Sequence, residues 1–225
     1  MSISFRDEYT THGVGNYYTR VASSYKNPHE PGVQKCLRQI LESIVPGKST
    51  LLEPKGGKKV TFDAPSYRLF DLAAGSGEAT LAAQAWFSRR RPEIAPKLLV
   101  SACDPFTHEL YTTRTGLPCG KQSFRDIQID GLAVAEGRIN NYYDVIVCSF
   151  ALHLCPASEV FGLLYTLSRA AKWLVVLAPH KRPEVGTEMG WERRGQEVII
   201  ERTRGRLYQS LNFEDEREEK MADGV

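Results

Sequence analysis

The sequence predicts a single α/β domain built on parallel strands, and three observations carry that prediction. A chain of 225 residues is enough for one sizeable domain and too short for two comfortable ones. Short apolar runs alternate with stretches of helical periodicity along most of its length. Successive apolar runs end at or near an acid: Asp71, Asp104 and Asp126. The first of these junctions, Leu69 to Thr80, passes from an apolar run through a small-residue turn (Ala73-Ala74-Gly75-Ser76-Gly77) into a helix carried by Leu81, Ala82, Ala85 and Trp86. Gly75 and Gly77 allow a sharp turn and let a ligand lie on the main chain at a helix N-terminus, as in nucleotide-type binding loops at the C-terminal end of a parallel strand.

Composition narrows the class further. With 42% hydrophobic and 25% charged residues and a net charge of +2, nothing directs the chain to a nucleic acid or a membrane surface. There is no DNA-binding motif. The five cysteines are odd in number and contain no C-x-x-C pair, as expected of a reduced intracellular protein, cytoplasmic or nuclear, without structural disulfides. Cys148, His153 and Cys155 match no zinc spacing, so core packing is the better account of them and no metal is expected. No apolar run has transmembrane length, and the N-terminus lacks a signal-peptide core, which predicts a soluble, non-secreted protein.

Taken in order, residues 1–29 are polar but carry Tyr17, Tyr18 and Tyr25, more aromatic than a disordered tail should be. From Pro31 a helix is predicted by Val33, Cys36, Leu37, Ile40, Leu41 and Ile44, ended by Pro46-Gly47. Residues 1–46 therefore form an N-terminal segment and helix, and 47–66 a solvated loop. Gly47-Lys48-Ser49 resembles the end of a P-loop but lacks the upstream glycine, since position 42 is Glu42. Arg89, Arg90 and Arg91 close the helix after the glycine turn and complement its dipole. Leu98–Cys103 is a second buried strand ending in Asp104-Pro105, where an acid can accept hydrogen bonds from both ribose hydroxyls of a nucleotide. A short helix follows over 106–115. Lys121–Phe124 reads as a weak third strand before Asp126 and Ile127. Tyr142–Phe150 is a fourth strand, and Pro156 opens the next helix. Lys172–Ala178 is a fifth. Glu197–Arg202 and Arg206–Leu211 form a hairpin turning at Gly205, and residues 213–225 are expected to be a disordered tail.

Asp71-x-Ala73-x-Gly75-x-Gly77 resembles the first motif of class I S-adenosylmethionine-dependent methyltransferases, with Ala73 where the first glycine usually stands. Tyr143-Asp144-Val145-Ile146-Val147-Cys148-Ser149-Phe150-Ala151-Leu152-His153-Leu154 closely resembles the family's fourth motif. The resemblance covers about residues 67–212. It implies a doubly wound, mostly parallel seven-stranded sheet, closed by the C-terminal antiparallel hairpin, with an N-terminal helical lid to which Tyr18 and Tyr25 belong. The implied cofactor is S-adenosylmethionine, with S-adenosylhomocysteine as product. Asp71, Ala73, Gly75, Ser76 and Gly77 would surround its methionine end, Asp104 and Pro105 its ribose, Asp126 and Ile127 its adenine, Ser149 its sulfonium side, and Tyr18 would approach it from the lid. Asp130 competes with Asp126 for the adenine.

The resemblance also implies methyl transfer to an acceptor the sequence does not identify. A general base is needed only if that acceptor must first lose a proton. His153, His180, His29 and Tyr25 are the candidates. The fourth motif lacks the Asn/Asp-Pro-Pro-aromatic run by which many relatives orient a planar nitrogen. The short 179–195 segment carries His180, Lys181, Arg182, Arg193 and Arg194, which read either as solvated loop charges or as a basic rim that would favour an acceptor with phosphate or carboxylate groups. A protein or RNA is expected slightly ahead of a small molecule. A silent cofactor-binding scaffold is the alternative. A nicotinamide oxidoreductase is a lesser one, because Thr80 occupies the place of a dinucleotide fingerprint's last glycine.

Overall fold

The structure, a computed structural model, describes residues 27–45, 66–90, 96–132 and 142–214. Tyr18, Tyr25, the 47–65 connection and the 215–225 tail fall outside these residues. The first element, α1 (Glu30–Ile44), opens with Pro31 in its first turn, where a missing N–H costs nothing. Its buried stripe of Val33, Cys36, Leu37, Ile40 and Leu41 is the one the spacing predicts. Each of the four aliphatic side chains contributes about 2 kcal/mol by leaving water. Val45 is extended, as a residue preceding proline must be, and the helix stops there.

Six strands form one sheet: β1 (Ser66–Leu72), β2 (Lys97–Cys103), β3 (Tyr143–Ser149), β4 (Ala171–Ala178), β5 (Trp191–Ile200) and β6 (Thr203–Ser210). Their order is β2-β1-β3-β4-β6-β5, the first four parallel and the last two antiparallel. Helices α2 (Glu78–Ser88), α3 (His108–Thr115), α4 (Phe124–Asp130) and α5 (Ala157–Ala170) connect them. Val145 and Val147 of β3 pack with α1 and α2 on one face. Ile146 and Cys148 pack with Ile127 of α4 and Leu163, Leu164 and Leu167 of α5 on the other. A strand buried on both faces must be apolar at every position, which is why β3 and β4 read as continuous runs.

The structure differs from these expectations at four places. The sheet has six strands among the described residues, where seven were expected. The weak strand at 121–124 is reduced to a single parallel bridge between Cys103 and Gly120. Ser123 instead caps α4 in a reciprocal capping box with Asp126, a local pairing that an all-polar Lys121-Gln122-Ser123 run cannot outcompete. The hairpin turns at Glu201-Arg202, both at positive φ (49° and 64°), the two-residue geometry that matches strand twist. Gly205 lies inside β6, opposite Leu177. The strand preceding this turn starts at Trp191 rather than Glu197, because Trp191 is fully buried and its indole N–H donates to the Leu164 carbonyl at 2.8 Å. Only residues 179–190 therefore separate β4 from β5. The helix expected from Phe106 begins two residues later, since Asp104 Oδ1 accepts from the N–H groups of Phe106 and Thr107 and holds that turn out of the helix.

Candidate functional site

The strand-to-helix turn after β1 takes left-handed conformations at three positions: Ala73 (φ 53°), Gly75 (φ 59°) and Gly77 (φ 88°). It is tied to the end of β2 by Ala74 N–H to Cys103 O (3.0 Å), Gly75 N–H to Asp104 Oδ2 (3.0 Å) and Thr107 Oγ1–H to Gly75 O (2.8 Å). Ala73 pays the Cβ penalty of the left-handed region, about 1–2 kcal/mol, that glycine would not. Ala73→Gly should therefore raise stability by roughly 0.5–1 kcal/mol after the added unfolded-state entropy, or about 1–4 °C in a thermal melt. A lower melting temperature would refute the strain.

A cavity of about 240 Å³ opens against this turn at the C-terminal ends of β1, β2 and β3, the usual place for a ligand in a doubly wound sheet. Its walls come from Ala73, Ala74 and Gly75, from Asp104, Pro105 and Phe106, from Gln122 to Arg125, and from Ser149, Phe150 and Ala151. Asn27, Glu78 and Glu159 line it as well. Of the residues assigned to a cofactor, Ala73, Gly75, Asp104, Pro105 and Ser149 therefore meet in one place. The Ser149 hydroxyl is buried there with no hydrogen-bond partner among the described residues.

The others do not line the cavity. Asp71 is completely buried beneath the turn, where its Oδ2 accepts from the Thr80 N–H (3.0 Å) and the Thr80 hydroxyl (2.7 Å). Thr80 Oγ1 in turn meets Tyr111 Oη at 2.9 Å. Asp71 thus fastens the start of α2 to β1, and Thr80, too large for a dinucleotide fingerprint, is its partner. Burial pushes the Asp71 carboxyl up to about 7, against the pull of the Thr80 hydrogen bonds and with help from Glu78 and Asp104. Ser76 is buried, its hydroxyl donating to Glu78 Oε1 at 2.5 Å and accepting from Arg114 Nη1 at 2.9 Å. Gly77 is the N-cap of α2. Asp126 is exposed and engaged by Ser123, and Ile127 is a core residue under β3. Both are off the cavity because α4 has replaced the strand that was to present them. Asp130, at the exposed end of the same helix, is off it as well.

Among the catalytic candidates, the His29 ring stacks on the lining residue Phe150 (centroids 4.7 Å apart, planes at 12°) without itself lining the cavity. His153 and His180 meet edge to face at 4.9 Å, outside the lining. Desolvation, and then the neighbouring His180, hold the His153 imidazole down to about 4. It is neutral at physiological pH and too weak a base to collect a proton there. Sequence reasoning passed over Glu78, Asn27, Phe106 and Phe124. The available signal for Glu78 was its place in the first turn after the glycines. Among the described residues no group of three or more His, Cys, Asp or Glu is placed to hold a metal, and no helix is long and apolar enough to cross a membrane.

No family model matches the chain. It is 32% identical, over 246 aligned positions covering 94% of each chain, to the uncharacterized protein C17A5.05c of Schizosaccharomyces pombe. Its fold matches the N-methyltransferase NodS of Bradyrhizobium japonicum, solved with S-adenosylhomocysteine, at TM-score 0.56 and 12% identity over 87% of this chain and 97% of that one. It also matches the magnesium protoporphyrin IX methyltransferase of Synechocystis, solved with S-adenosylmethionine, at TM-score 0.51 and 14% identity over 91% and 93%. A third match, the CurJ carbon methyltransferase, has TM-score 0.53 and 15% identity, with 90% of this chain aligned to 60% of that one. The chain belongs to one family with the fission yeast protein, and its fold is that of the class I S-adenosylmethionine-dependent methyltransferases.

Proposed function

We propose that the protein is an S-adenosylmethionine-dependent methyltransferase. The observation that carries this reading is the cavity itself. A left-handed glycine turn, a strand-end carboxylate fixed by three N–H groups and three phenylalanines surround a space of about 240 Å³. A nucleoside needs backbone it can approach, an acceptor for ribose and an apolar slot for a base, and these residues fit that need. Asp104 has about four acceptor sites, of which three take N–H groups, so it has one left on Oδ2 for a ribose hydroxyl rather than two for a pair. Phe106, Phe124 and Pro105 offer the apolar slot in place of Ile127. When bound, the cofactor supplies a methyl group already activated on a sulfonium. What remains for the chain is to orient the acceptor and exclude water.

At the Phe150 end the candidate proton acceptor is His29, whose ring stacks on Phe150, rather than the desolvated His153. The connection between β4 and β5 is only 179–190, too short for a large acceptor-enclosing insertion, which supports a protein or RNA acceptor over a small molecule, although the magnesium protoporphyrin enzyme carries a small-molecule acceptor in its name.

Calorimetric titration with S-adenosylmethionine and, in parallel, NAD tests the reading. Wild type should bind the methyl donor in the micromolar range and not NAD. Asp104→Asn should weaken donor binding by at least about tenfold. Binding of NAD alone would instead identify an oxidoreductase. Donor binding without transfer of labelled methyl to any protein, RNA or small-molecule fraction of a cell extract would favour the silent scaffold.

A further inference from the structure

The turn that leads into α1 is held against the glycine loop by one arginine. Arg114 of α3 donates from Nη2 to Glu30 Oε1 at 2.5 Å, and its Nη1 lies 2.9 Å from Ser76 Oγ and 3.5 Å from Glu78 Oε1. Glu30 N–H donates to the Asn27 carbonyl, so one chain of contacts through Arg114 links Asn27 and Glu78, both of which line the cavity. One guanidinium shared by two carboxylates leaves a net charge of −1 (+1 − 2) in this group. Glu78 is 97% buried by its 3% exposure, yet it lines the cavity. A carboxylate so far removed from water interacts strongly with any cation placed against it. Asp71, which the sequence assigned to the methionine end, lies beneath the turn and does not face the cavity.

We propose that Glu78, rather than Asp71, is the carboxylate that receives the ammonium group of the donor's amino-acid end, and so sets the site's preference for a nucleoside carrying an α-amino acid. This assignment rests on the S-adenosylmethionine reading above. Arg114 is the positioning residue: it holds the Glu78 carboxylate and, through Glu30, ties the entrance of α1 to it. Ser76 fixes the rotamer by donating to Oε1, which leaves Oε2 for the ligand. The preference is then electrostatic and local, separate from the ribose contact at Asp104.

The test is a pair of ligands that differ only in that amino-acid end. The full chain is titrated calorimetrically with S-adenosylhomocysteine and with 5′-methylthioadenosine, which keeps the nucleoside and the sulfur but has no ammonium or carboxylate. Glu78→Gln, close to isosteric and still able to accept from Ser76, should lose at least about tenfold in affinity for S-adenosylhomocysteine. Its affinity for methylthioadenosine should stay within about twofold of wild type, so the ratio of the two constants collapses. Asp71→Asn should leave that ratio unchanged even if both affinities fall through a weakened turn. Equal losses on both ligands in Glu78→Gln, or a ratio that responds to Asp71→Asn and not to Glu78→Gln, would overturn the assignment. If wild type binds neither ligand, the cofactor reading fails and this assignment falls with it.

Discussion

Gly77→Ala should destabilise the protein by about 2–5 kcal/mol, a large effect for one methyl group. Two costs add. At φ 88° any Cβ meets the left-handed penalty of about 1–2 kcal/mol. The new Cβ would also lie 2.4 Å from Thr115 Cγ2 and 3.2 Å from Tyr111 Cδ2. Neither neighbour moves easily. The Thr115 hydroxyl donates to the Tyr111 carbonyl and accepts from the Leu117 N–H, which fixes its rotamer. Tyr111 is fully buried and bonded to Thr80. Overpacking of this kind adds about 1–3 kcal/mol. Gly116 gives the comparison: its φ is 72°, but a Cβ there meets nothing within 4 Å, so Gly116→Ala should show the backbone cost alone. Denaturant titration of the two variants, and of Gly77→Ala combined with Thr115→Ala, separates the terms. The second substitution should return most of the steric part and none of the backbone part. If Gly77→Ala proves no worse than Gly116→Ala, the close packing of α3 on the turn is wrong.

The same turn marks what the sequence can and cannot reveal. Strands β1 to β4 were legible because each is an apolar run ending in a helix or turn signal. The α1 stripe was legible because five buried positions fall on one helical face. The hairpin turn was not, because Glu201-Arg202 carries neither glycine nor asparagine, and Gly205 offered a more conventional signal a few residues away. The capping box at Ser123 and Asp126 is a helix-start signal in plain view. It lost to the expectation of another strand, and with it went the placement of the adenine acid. The choice between Asp71 and Glu78 is of a different kind. Both flank the glycines, and which one faces the cavity depends on the path of the backbone through three left-handed residues, which no periodicity reports. Ala73, Gly75 and Asp104 line the cavity as the motif's position at the strand ends leads one to expect, because the turn and the end of β2 together form its wall.

Asp71→Asn should remove a pH dependence that the wild type carries in its core. The Asp71 carboxyl lies near 3.8 in an unfolded chain and is pushed up to about 7 in the fold, chiefly by burial. Between those values the unfolded chain holds fewer protons than the folded one, so stability falls as pH rises. The penalty is absent below about pH 4 and complete above about pH 7, and a shift of this size corresponds to an upper limit of about 4 kcal/mol. His153 works in the opposite sense. Its folded value, held down to about 4, adds stability between there and its ordinary value near 6.5, and that contribution is lost as pH falls. Total stability therefore hides the Asp71 contribution, and the difference between wild type and Asp71→Asn isolates it. The amide can still accept from Thr80, while its NH₂ group enters a site where Oδ1 has no partner among the described residues. That costs about 1–3 kcal/mol independent of pH. Asp71→Asn should thus be the less stable protein at pH 4 and should gain on the wild type steadily toward pH 8. Urea denaturation across that range gives the two curves. If their separation stays constant, Asp71 is ionised throughout and the desolvation that defines this buried anchor has been overestimated.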